Sequence, residues 1–363
     1  MPKVSIIMPS LNVCEYIRDC LESVINQTLK DIEIICVDAG STDGTLSIID
    51  EYVVRGEGQI KLIVSEKKSY GYQMNLGMDA ATGKYMGIVE TDDFVLPDMF
   101  EQLYNLAEKY NVDFIKADHY QFITNPDGSI KKTHLKTCTK DEMYNKVFKP
   151  CDHPDVFSYY ITTWDGIYSI DFLRRFNIRY NESQGASYQD NGFWFQTLCH
   201  AERVYLFNKP FYMYRNDNPN ASVKNKEKVY CINDEYIFIN EFLSKNSHLQ
   251  KAYMPIYLYK KYRSYIYTYE RIADKYKRGF IERFHLEFKE DYKAGRLDKN
   301  LFLFNKRERK ILMQIINNPI KYYKWTQNSG FRYIIRYFFE KAMNTLRRIK
   351  RFLFTKNDLS KYK

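Results

Sequence analysis

Short apolar runs alternate with helical periodicity across the first third of the chain, and no other feature limits the accessible folds as strongly. Residues 4–8, 32–37, 60–65 and 84–89 are such runs, and 113–117 continues the series. Between them, 14–27, 45–54, 72–81 and 98–110 read as helices; Ile17, Leu21, Val24 and Ile25 recur at three- and four-residue steps. This order predicts βαβ units, an α/β fold with a mostly parallel central sheet flanked by helices, and right-handed crossovers. In such sheets ligands collect outside the carboxyl ends of the strands. Pro9, Asp38, residues 65–68 and the acidic turn at 90–93 all emerge at that edge.

Beyond 120 the pattern weakens around a turn at Asn125-Pro126-Asp127-Gly128. It recovers over 156–220, with helices expected at 171–176 and 189–202 around a strand at 203–207. From 227 onward only helical patterns remain. We expect a body over 1–225 with halves meeting near 120, a helical extension over 226–320 and a tail over 321–363. The extension repeats Tyr and Lys (Tyr257, Tyr259, Tyr262, Tyr265, Tyr267, Tyr269), and no chemistry is assigned to it.

The formal net charge of +10 is unevenly placed. Residues 321–363 hold twelve Lys and Arg against Glu340 and Asp358, so the tail accounts for the whole excess and the body is neutral. Phe331, Ile335, Phe338, Ala342, Leu346, Ile349 and Leu353 share one helical face, with most cations elsewhere. A basic amphipathic helix of this kind suits an anionic membrane surface. Packing on the body or on a second copy, as in a homo-oligomer, is the other reading. No nucleic-acid motif accompanies the charge, so no nucleic-acid partner is expected. Seven Cys lack CxxC spacing and are odd in number, which fits free thiols in a reducing compartment. The N-terminus enters a strand at once without a signal-peptide core, and no apolar run is long enough to span a bilayer.

The run Lys84-Tyr85-Met86-Gly87-Ile88-Val89-Glu90-Thr91-Asp92-Asp93 is a buried strand ending in three acids around one threonine. Clustered carboxylate oxygens suit a hard divalent cation, Mg²⁺ or Mn²⁺, shared with substrate phosphates.

Four segments together resemble the family 2 glycosyltransferases of the GT-A (Rossmann-like) fold. They are Val4-Ser5-Ile6-Ile7-Met8-Pro9-Ser10-Leu11-Asn12, Val37-Asp38-Ala39-Gly40-Ser41-Thr42-Asp43-Gly44-Thr45, Asn75-Leu76-Gly77 with Ala81-Thr82-Gly83-Lys84-Tyr85, and Glu90-Thr91-Asp92-Asp93. The resemblance covers residues 1–220 and is closest to bacterial enzymes extending capsular, cell-wall or lipopolysaccharide glycans. It implies inverting transfer from a nucleotide-sugar, a UDP-sugar foremost, to a glycan or lipid-linked acceptor. It also implies a cytoplasmic enzyme held peripherally at the inner face of the cell membrane. On this resemblance Asp93 is the metal ligand, and Asp92 with Thr91 faces the ribose and donor. Pro9, Ser10 and Leu11 line the nucleobase, Asp38 reads base or ribose, and Gly71 and Asn75 belong to the donor-side helix. Asp190 falls on the general-base position at a helix start, where the helix dipole is expected to depress its pKa. Trp164 borders the acceptor, Gln189 stands where a Glu is usual, and Arg215 belongs to a segment that closes over the diphosphate. Ala39, Met74, Gln189 and Gly166 depart from the pattern, by loss of an Asp, an Arg, a Glu and a Lys respectively. The first three leave open a catalytically inactive glycan-binding or scaffolding subunit.

Overall fold

The computed structural model describes residues 1–327 except 57–59, 154–155, 158, 160 and 298–299. The amphipathic pattern at 331–353 therefore lies outside the described residues. The chain divides into two compact units, Met1–Ser222 and Val223–Lys363.

In chain order the first unit contains β1 (Val4–Ser10), α1 (Ile17–Ile25), β2 (Ile32–Asp38), α2 (Thr45–Arg55), β3 (Ile60–Val64), α3 (Tyr70–Ala80), β4 (Tyr85–Ile88), β5 (Phe94–Val95) and α4 (Met99–Tyr110). It continues with β6 (Phe114–Thr124), β7 (Ile130–Leu135), β8 (Val147–Phe148), β9 (Gly166–Ser169), α5 (Ile170–Arg175), α6 (Gln189–His200) and β10 (Val204–Arg215). The described strands form one sheet in the order β3-β2-β1-β4-β9-β6-β10-β5, with β7 on β6 and β8 on β10.

The expected βαβ half is present: β1 pairs in parallel with β2 and β4, and β2 with β3. β1, β2 and β4 are almost wholly buried, as strands covered by helices on both faces must be. The α1 face of Ile17, Leu21 and Val24, joined by Cys20, packs into the same core. The other half departs from a simple parallel continuation. β9 runs antiparallel between β4 and β6, and β10 returns parallel to β6.

Pro9 does not end its strand. The Ile7 carbonyl accepts from Val89 N, so Ile7, and Pro9 two residues on, face the β4 side. The β4 ladder has already ended at Ile88 there, so the missing N–H forfeits no ladder bond. The expected strands at 113–117 and 203–207 are longer, because β6 runs on into a hairpin with β7 and β10 follows it to Arg215. The turn at 125–128 closes that hairpin, with Gly128 at φ +81°.

The second unit is helical over its described residues: α7 (Cys231–Ser244), α8 (Ser247–Arg271), α9 (Asp274–Lys293), α10 (Lys306–Asn317) and α11 (Pro319–Gln327). Tyr257, Tyr262, Tyr265 and Tyr269 are buried, with Tyr265 set against Phe280, Phe284 and Phe288. Four tyrosines of the repeat are thus core packing, while Tyr259 is partly buried and Tyr267 exposed. Among the described residues, no helix is long and apolar enough to cross a membrane.

Candidate active site

The exits of β1 and β2 are stitched into one polar ledge. Asp38 is fully buried; its carboxylate accepts from Ser10 Oγ at 2.7 Å, Ser41 Oγ at 2.6 Å, and the Gly40 and Ser41 amides at 2.9 and 2.7 Å. These four bonds fill an ionised carboxylate's acceptor capacity. Asp38 therefore shapes the ledge from beneath, while Leu11 is exposed upon it. Asn12, at φ +54°, exchanges bonds with the Ser41 hydroxyl and the Thr42 amide. Gln73, which sequence reasoning passed over, ties the two strand ends by donating to the carbonyls of Ser10 and Val37.

Beside the ledge stands the acidic turn. Thr91 donates to the Pro9 carbonyl at 2.8 Å, fixing the turn to β1. Asp93 is buried and accepts from Tyr212 Oη at 2.9 Å and from Arg215 N at 2.7 Å. Asp92 accepts from Asn218 Nδ2 at 2.7 Å. Desolvation, with the Asp92 charge next, holds the Asp93 carboxyl well above the usual range. Desolvation pushes Glu90 up to about 8, with Asp92 and Asp190 adding to it against a 2.6 Å bond from Tyr70 Oη. Arg215 is anchored rather than free: Nε donates to the Asp92 carbonyl, and the guanidinium lies over the rings of Tyr16 and Phe122.

A third segment, 180–190, is brought to the turn by α3. Gly71 lies so close to it that a Cβ would sit 1.8 Å from the Asn181 carbonyl oxygen. Asn75 accepts from Tyr180 N and donates to Tyr180 O and Glu182 Oε1. Gln189 is buried and folds the loop on itself, accepting from Ser187 N and donating to Ser183 and Gly185. Tyr188, capping α6, is held at φ +71°, a conformation that costs a non-glycine residue about 1 kcal/mol or more. Gln189 thus stabilises the strained turn that presents Asp190.

The expected depression of the Asp190 pKa is not found. Desolvation outweighs the bonds from Asn191 and the helix start, and the carboxyl rises to about 6. It still ionises mostly at neutral pH.

Trp164 stacks on Tyr212 at 4.1 Å and lies parallel to Tyr214 at 5.5 Å. Behind it sits a buried charge cluster that the sequence did not reveal. Lys116 Nζ lies 3.2 Å from Asp165 Oδ1 and donates to the Thr162 carbonyl and hydroxyl. Lys116 is the cross-strand partner of Gly166, where a Cβ would come within 2.1 Å of the Ile115 carbonyl oxygen. Steric exclusion thus explains the missing side chain at 166. Met74, in place of the usual Arg, is buried in the core and supplies no cation.

The acid turn fits a shared cation. Among the described residues no three His, Cys, Asp or Glu converge on one point. Yet desolvation first, and then the charges of Asp92 and Glu90, raise the proton affinity of Asp93, and the part due to those charges is one a cation relieves. One or two carboxylates, with the remaining ligands from diphosphate and water, is the set Mg²⁺ or Mn²⁺ ordinarily takes.

Residues 5–166 match the family model described as Glycosyl transferase family 2. The uncharacterized glycosyltransferase EpsJ of Bacillus subtilis is 31% identical over 228 residues, 61% of this chain and 63% of that protein. Glycosyltransferase GlyG of Streptococcus pneumoniae is 32% identical over 120 residues, 33% of this chain and 40% of GlyG. The match therefore spans less than two thirds of either relative. The crystal structure of S. aureus TarS 1–349, also solved with UDP-GlcNAc, superposes with a TM-score of 0.64 at 16% identity, covering 90% of this chain and 92% of that one. With the ledge, the acid turn and the βαβ half arranged as described, residues 5–166 form a glycosyl transferase family 2 domain and the chain has the GT-A fold.

Proposed function

We propose that the chain is an inverting glycosyltransferase that moves a sugar from a nucleotide-sugar, a UDP-sugar foremost, to a hydroxyl of a glycan or lipid-linked acceptor. The observation carrying this reading is the meeting, at one sheet edge, of the buried Asp190 carboxyl with a separate acidic turn, close enough that the Asp190 charge acts on Glu90. TarS, whose fold this chain shares, takes UDP-GlcNAc in its own crystal structure.

In this reading the ledge of Pro9, Ser10 and Leu11, supported by Asp38, receives the nucleoside. Thr91, Asp92 and Asp93 face ribose and diphosphate, with Gly71 and Asn75 fixing the wall opposite. Asp190 removes the proton of the attacking hydroxyl, and Trp164 supplies an aromatic edge for the acceptor sugar. Asp93, with Asp92 beside it, would hold Mg²⁺ or Mn²⁺, which when bound offsets charge developing on the departing diphosphate. Gln189 and Arg215 act by holding their loops. The acceptor we infer is a growing surface polysaccharide, with the basic tail of 321–363 keeping the enzyme at the inner face of the cell membrane.

The test is release of nucleotide diphosphate when Mn²⁺, a sugar nucleotide and acceptor are mixed with the full chain. Thermal shifts across UDP-, GDP- and dTDP-sugars would identify the donor, since a true donor stabilises the folded state by mass action. No shift with any donor, with or without metal, overturns the reading. Donor binding without turnover would favour a glycan-binding or scaffolding subunit.

A further inference from the structure

Tyr212 belongs to both sides of the site. It is fully buried in β10, paired with His119 of β6 and Val95 of β5. Its hydroxyl accepts from Glu90 N at 2.9 Å and donates to Asp93 Oδ2 at 2.9 Å. A phenol has one proton, so with Glu90 N as donor that proton is committed to Asp93. Its ring stacks on Trp164 with centroids 4.1 Å apart and planes 27° apart. Trp164 in turn meets Tyr214 and the edge of His119. One rigid side chain therefore hydrogen-bonds the acid turn and packs against the indole on the acceptor side.

We propose that Tyr212 is a positioning residue that couples cation and donor occupancy at Asp93 to the orientation of Trp164. This rests on the functional reading above. The physical link is short. A charge arriving on Asp93 alters the pull on the phenolic proton, and a hydroxyl held at two points moves only with its ring. The ring cannot move without Trp164, because buried aromatic faces in van der Waals contact leave no gap between them. The coupling orders the reaction: the acceptor platform reaches its working orientation once the acid turn is filled. By linkage, the factor by which cation binding favours one Trp164 orientation is the factor by which that orientation favours cation binding.

The experiment labels the full chain with 5-fluorotryptophan and follows fluorine resonances during Mg²⁺ titration, with calorimetry measuring Mn²⁺ uptake in parallel. Loss of one resonance in Trp164→Phe assigns it among Trp164, Trp194 and Trp325. The proposal expects Mg²⁺ to shift the Trp164 signal in the unaltered chain. In Tyr212→Phe, which keeps the ring stack and loses the hydroxyl, calorimetric uptake should persist but that shift should vanish. Trp164→Leu, which removes the stack and touches no acid, should change the Mn²⁺ dissociation constant about fivefold. That arm decides the matter if Tyr212→Phe fails to fold. Metal uptake with an unmoved Trp164 signal in the unaltered chain sinks the coupling alone, as does a shift that survives in Tyr212→Phe or unchanged affinity in Trp164→Leu. Absence of any uptake, with UDP present as well as without it, removes the cation site and the coupling, while the donor shifts decide the functional reading separately.

Discussion

Gly71 on α3 and Asn181 approach so closely that a Cβ on the first would lie 1.8 Å from the carbonyl oxygen of the second. The contact is backbone against backbone, so no side chain can swing aside to relieve it. It lets the start of α3 press on the segment that leads to Asp190. Gly71→Ala should overpack this junction and cost about 2 kcal/mol. Urea unfolding should report a lower midpoint with an unchanged slope, and an unaltered midpoint would contradict the contact.

Asp190 carries a carboxyl pushed up to about 6, chiefly by desolvation. A general base works deprotonated, so the rate should fall as pH drops through that value and level off above it. Asp190→Asn should lower kcat by about a hundredfold or more, the scale of a lost general base, while donor binding by calorimetry is retained. Undiminished turnover in that variant would remove the assignment.

Glu90 offers a stability test independent of turnover. Its ordinary value is 4.5, and burial raises it to about 8 in the folded chain. Between those values the folded chain keeps a proton that the unfolded chain has released, so stability falls as pH rises through the interval. Glu90→Gln cannot ionise and should lose less Tm than the unaltered chain between about pH 5 and about pH 8. Parallel Tm curves for the two proteins would mean that Glu90 titrates normally.

The tail gives a prediction drawn from sequence alone. Removal of residues 328–363 takes away ten Lys and Arg against two acids. Cations at an anionic surface contribute about 1 kcal/mol each, so the shortened chain should leave vesicles containing anionic lipid that the full chain binds. Both should ignore neutral vesicles and behave alike in donor thermal shifts. Equal pelleting of the two chains would dismiss the membrane role.

Much of the first half was legible because its signals are local. Apolar spacing separates strand from helix without reference to partners, and turn residues mark where strands end. The acid turn at 90–93 and the ledge at 38–45 could be located for the same reason. The helical character of the second unit was visible too, although the purpose of its tyrosines was not, since burial depends on which helices meet.

What the sequence by itself determined is the alternation, the polar turns at one sheet edge and the charge of the tail. Tertiary structure alone decided that β9 enters antiparallel between β4 and β6, placing Lys116 opposite Gly166 and against Asp165. It also decided that burial pushes the Asp190 carboxyl up rather than down, and that Tyr212 bridges Asp93 and Trp164. The reason is the same in each case. Hydrophobic periodicity is written along the chain, whereas desolvation, hydrogen-bond partners and ring contacts depend on groups up to 126 residues apart that only folding brings together.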